Sequence, residues 1–119
     1  MDRTYRKEQR TAIITVPVGA SKGEAVMDDL PRGKVVYMGA SGSRAQTGLV
    51  RLSVERNGQQ IVKPANLSWF DGGLGSFEQR ALQIADQGGT RLDLKVETTT
   101  PVADTPLLVE VIFQSWVEL

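Results

Sequence analysis

The residues best suited to do chemistry lie in the stretch NLSWFDGGLGSF, positions 66–77. Trp69 and Phe70 offer two adjacent aromatic rings, and Asn66 and Asp71 flank them with hydrogen-bonding groups. Rings beside polar side chains are the ingredients of a sugar-stacking platform or of an anchor for a protein partner. The same rings also suit the closing of a hydrophobic core, with Gly72, Gly73 and Gly75 allowing sharp backbone turns. Adjacent residues on an extended chain point to opposite sides, so the expectation is one ring inward and one outward. The glycines lack the lysine and the spacing of a phosphate-binding loop. Asp71 lacks the ligand series of a calcium loop and is read as stabilising its own turn. Asn66-Leu67-Ser68 matches the N-glycosylation pattern and is read as a chance match, because no secretory signal accompanies it.

The rest of the chain narrows the chemistry further. It contains no cysteine and no histidine. Disulfides, thiolate nucleophiles, Ser-His-Asp catalysis and histidine-based zinc sites are therefore excluded. The carboxylates Asp28, Asp29, Glu78, Asp86, Asp93 and Glu97 are scattered along the chain. Glycoside hydrolysis needs two carboxyls at a set separation across a cleft, which a small domain has little room for. They are read as solvated surface charge. The expectation is a protein that is not an enzyme and needs no cofactor or metal.

With 119 residues, 40% apolar and 24% charged, the chain fits one globular domain. Its formal net charge is zero, so the whole molecule carries no bias toward nucleic acid or anionic membrane. One local bias stands out. The opening DRTYRKEQR carries Arg3, Arg6, Lys7 and Arg10 against Asp2 and Glu8, with Tyr5 interleaved. Residues 1–10 are read either as a flexible solvated tail or as a basic arm that lies on a neighbouring subunit, and nucleic acid would be reached only through it. This start has no apolar core of a signal peptide, and the apolar runs are too short to span a bilayer. A cytoplasmic protein without membrane contact is expected.

The positioning elements follow from apolar alternation with a period of two. In TAIITVPV, Ala12, Ile14, Val16 and Val18 share one face, while Ile13 makes the other face apolar too; Pro17 marks an edge or a strand end. EAVMD is a weaker strand and KVVYMG a firmer one. LVRLSVERNGQQIVKP is a hairpin turned at Asn57-Gly58, with Arg56 facing Gln59 and Val54 facing Ile61. Residues 77–86 fit either a strand or a short helical turn. TRLDLKVETTT points Leu92, Leu94 and Val96 inward. LLVEVIFQSWVEL places Leu107, Val109, Val111 and Phe113 on one face, and Leu108, Glu110, Ile112, Gln114 and Trp116 on the other. About eight strands at this spacing predict an all-β protein, an antiparallel two-sheet β-sandwich of jelly-roll type over residues 11–119.

This strand set, TAIITVPV, KVVYMG, LVRLSVERNGQQIVKP, TRLDLKVETTT and LLVEVIFQSWVEL, together with the arm DRTYRKEQR, resembles the minor structural proteins of bacteriophage and other virus particles. The resemblance implies a virion protein whose partners are copies of itself and other particle subunits. In it Arg3, Tyr5, Arg6, Lys7 and Arg10 are assembly contacts. First and last strands that are apolar on both faces also favour an oligomer, with Trp116 a further contact. The alternative is a carbohydrate-binding or adhesion module, with Trp69, Phe70 and Tyr37 as stacking surfaces and Asn66 and Asp71 as polar contacts.

Overall fold

The computed structural model describes residues 4–28, 30–33, 35–42, 49–67, 70, 82–84, 89 and 91–118. Its strands are β1 (Tyr5–Val16), β2 (Lys22–Met27), β3 (Val35–Gly42), β4 (Val50–Arg56), β5 (Gln59–Asn66), β6 (Leu82–Ile84), β7 (Leu92–Thr98) and β8 (Leu107–Glu118). They form two four-stranded antiparallel sheets, a terminal sheet β1-β8-β3-β6 and a hairpin sheet β2-β7-β4-β5. The first strand pairs with the last, β2 with β7, β3 with β6, and β4 with β5. The chain is thus one long ribbon, doubled back at Asn57-Gly58 and wrapped so that β8 also meets β3 and β7 also meets β4. This is the jelly-roll order that the strand count predicts. The doubling point has the backbone that a type I′ turn requires, with φ of 52° at Asn57 and 79° at Gly58.

Alternation builds the core. Leu92, Leu94 and Val96 from β7, and Leu107, Val109, Val111 and Phe113 from β8, are all fully buried. Ile14 and Val16 from β1, Val36 and Met38 from β3, and Leu52 and Val54 from β4 complete the two facing layers. The side chains between them on each strand point away from the core, which fixes the outer face of each sheet.

Three details differ from the sequence expectation, and a fourth decides between two alternatives it left open. First, β1 begins at Tyr5, so residues 5–10 are paired strand along β8. Their charged side chains carry no apolar alternation; the backbone ladder to an equally long β8 holds them. Second, β1 stops at Val16, and Val18 lies beyond it, 51% exposed. Pro17 ends the strand, and the following turn is tied instead to Val102 by the Gly19 N–H at 2.7 Å. Third, Val54 faces Val62 rather than Ile61. The register shifts between Leu52 and Val54 and again between Val54 and Glu55. Lys63-Pro64 lies in the shifted stretch, where a proline without an N–H breaks the ladder, as an edge strand permits. Fourth, within residues 77–86 the described part, Leu82–Ile84, is strand β6; the rest lies outside the described residues.

The segment after β2 closes one end of the sandwich. Leu30 is buried, and Gly33 sits hard against β8. A Cβ there would overlap Ser115 Oγ and come within 2.5 Å of the Trp116 carbonyl oxygen. Gly33→Ala is therefore expected to cost about 1–3 kcal/mol in urea unfolding, the usual range for forcing an extra carbon into a packed site. A neutral result would show that this end of β8 gives way freely.

Candidate functional site

The two outer faces are chemically unlike. On the hairpin sheet, Lys22 stands opposite Glu97, Glu97 opposite Arg51, and Glu24 opposite Lys95. Lys95 Nζ lies 2.8 Å from Glu55 Oε2, and Arg91 Nη2 lies 3.1 Å from Asp93 Oδ1. Glu55 and Asp93 also stand opposite each other, each with its own cation, so the face is a polar surface of interleaved charges. The Glu55 carboxylate, by hydrogen bond and then by charge, holds the Lys95 ammonium above its ordinary pKa. A raised pKa in the folded state means that this stabilisation is fully present below the unfolded value of 10.5 and is lost as pH rises through the folded one. Urea midpoints measured from neutral to strongly alkaline pH should therefore fall less steeply at the alkaline end in Glu55→Gln than in the wild type.

The terminal sheet has a different outer face. Across β1, β8, β3 and β6, one row sets Gln9, Gln114, Tyr37 and Gln83 side by side. The Gln114 amide donates to Gln9 Oε1 at 3.2 Å. The row toward the start of β1 sets Lys7 opposite Trp116, with the ammonium 5.5 Å from the ring centroid, within cation–π range. In the opposite direction Ile112 is half-buried, and Ile13 and Leu108 stand 56% and 42% exposed. Ile13, Leu108 and Glu110 border a shallow depression against Ser41 and Gly42. Among the described side chains that point outward from this sheet, only Lys7 and Glu110 are charged.

The residues singled out in the sequence divide as follows. Lys7 and Trp116 come together on the outer face of the terminal sheet. Arg6 and Arg10 lie on the other side of β1 and both bond Glu8, at 2.7 Å and 3.4 Å. Tyr5 pairs through its backbone with Glu118. Arg3, Trp69 and Asp71 lie outside the described residues. Phe70 is the inward ring, 2% exposed in the core, with its N–H donating to the Leu67 carbonyl. Its ring packs in the core, as expected for one ring of the pair, and is not presented at the surface. Tyr37 and Asn66 belong to different sheets and do not share a platform.

Sequence reasoning passes over Gln9; it places Ile13 on the second face of the first strand, and Gln114, Ile112 and Leu108 on that of the last, without bringing the two faces together. Their types are unremarkable one at a time. Alternation puts each set on one side of its strand, but the β1–β8 pairing that joins the two sets spans nearly the whole chain and leaves no local signal.

Among the described residues no three carboxylates gather into a metal-binding group, and no helix is long and apolar enough to cross a membrane. Comparison with protein-family models, with curated proteins and with solved structures finds no match for the chain.

Proposed function

We propose that this chain is a non-enzymatic structural subunit that works by self-association and by docking to neighbouring subunits, as in a phage or virus particle. The observation that carries this reading is the inequality of the two outer faces. The hairpin sheet interleaves charges of both signs, with Lys95 paired to Glu55 and Arg91 to Asp93. The terminal sheet instead presents amides, rings and exposed Ile13 and Leu108. Interface centres are depleted of charge and enriched in aromatic side chains, as this face is. Its free edge strand β1 adds a second means of contact.

The carbohydrate-binding alternative loses support on two counts. Phe70 belongs to the core, and Tyr37 and Asn66 lie on separate sheets. Size-exclusion chromatography with light scattering tests the assembly reading. Masses above that of one chain, rising with concentration, are expected. A strictly monomeric species at every concentration would contradict it.

A further inference from the structure

We infer that the free edge of β1 pairs with β1 of a second copy about a two-fold axis centred on Gln9, joining two terminal sheets into one. This pairing rests on the self-association reading and gives it a partner and a register. β1 is the outermost strand of its sheet, and among the described residues no strand pairs with its far side. Its second half is crowded at the corner to β2, where a Cβ on Gly23 would come within 2.6 Å of the Thr15 carbonyl oxygen. The open stretch is therefore the first half, from Tyr5 to about Ala12.

A long edge with unpaired backbone groups draws pairing, and charges on it ordinarily repel wrong partners. Here the charges choose the register. A two-fold axis normal to the sheet keeps both outer faces on the same side, so odd positions oppose odd and even oppose even. Centring on Gln9 sets Glu8 against the partner's Arg10 and Arg10 against the partner's Glu8. It sets Lys7 against the partner's Thr11 and Tyr5 against the partner's Ile13. Centring on Lys7 opposes two lysines. Centring on Glu8 opposes two glutamates, and Arg6 with the partner's Arg10. Centring on Arg10 opposes two arginines, and centring on Thr11 loses both charge pairs and runs into the Gly23 corner. The Gln9 register alone combines opposite-charge pairs with no like-charge opposition. Within one chain Glu8 is held closely by Arg6, at 2.7 Å, and loosely by Arg10, at 3.4 Å, whose same nitrogen also donates to the Gln9 carbonyl at 2.9 Å. The looser bond is the one a partner would share.

The chain has no cysteine, so single cysteines report the register directly. Across the axis, position 9 meets itself with Cα atoms about 4.5–5.5 Å apart, within the span of a disulfide. Position 7 of one copy lies roughly 13 Å along the strand from position 7 of the other, beyond that span. Oxidation should therefore link Gln9→Cys chains into dimers and leave Lys7→Cys chains mostly unlinked. In a second arm, Glu8→Arg and Arg10→Glu should each weaken dimerisation by roughly tenfold, since each sets like charges across the axis. Mixing the two variants should restore it as a heterodimer, with circular dichroism confirming that both are folded. Suppose wild type self-associates, but Gln9→Cys links no better than Lys7→Cys or mixing restores nothing. The edge pairing is then overturned, and the self-association reading stands. A wild type that is monomeric at every concentration overturns both.

Discussion

Phe113→Ala is expected to lower the unfolding free energy by about 3–5 kcal/mol, the usual cost of emptying a buried aromatic site. Phe113 is fully buried, and it sits on β8, the strand that joins β1 to β3. Its neighbours in register, Arg10 and Met38, sit on strands held by backbone ladders and cannot collapse freely into the space. Domains are commonly stable by only about 5–15 kcal/mol, so the variant should be marginal or unfolded at body temperature. Phe113→Leu keeps most of the volume and should cost clearly less. Urea unfolding of the three proteins checks the order. A loss below about 1 kcal/mol for the alanine variant would mean that β8 does not anchor the terminal sheet.

The second large effect is on assembly. Ile13→Lys combined with Leu108→Lys places two charges on the apolar end of the terminal sheet. Both positions are exposed in the single chain, so the cost to folding should stay within about 0.5 kcal/mol for each. Burying the remaining apolar surface of each residue against a neighbour is worth about 1 kcal/mol, or about 2 kcal/mol for the pair. The apparent dissociation constant should accordingly rise roughly 30- to 100-fold, with the higher figure reflecting the cost of burying lysines. Val26→Lys makes the control. That side chain is also exposed, at 44%, but on the hairpin sheet, and association should not change. Sedimentation velocity across a concentration series reads both results. Equal loss in the control variant would remove the distinction between the faces.

Much of the fold was legible because one rule, alternation, governs any strand with one face buried. β7 reads directly from Leu92, Leu94 and Val96, and β8 from Leu107 to Phe113. Asn57-Gly58 fixes the middle of the chain, because few residue pairs accept positive φ at both positions. The rule fails where backbone pairing rather than side-chain burial makes the strand. Residues 5–10 are charged and still strand, since β8 supplies a partner along their whole length. It fails again at Lys63-Pro64, where a bulge shifts the register of an edge strand.

The candidate site was less legible than the fold, for a related reason. Lys7 and Trp116 stand out in the sequence separately, one for its charge and one for its place on the second face of the last strand. That the ammonium stands over the ring follows only from the pairing of β1 with β8. Gln9 and Gln114 meet across 105 positions of sequence, and neither draws notice alone. Of the aromatic pair that looked most like a ligand platform, Phe70 fills the core.

Hydroxyl-radical footprinting of the concentrated against the dilute protein asks most directly which face meets a neighbour. Protection on concentration is expected at Ile13, Leu108, Ile112 and Trp116, with Val26 on the opposite sheet unchanged. Protection at Val26 with those four positions unaltered would contradict the account.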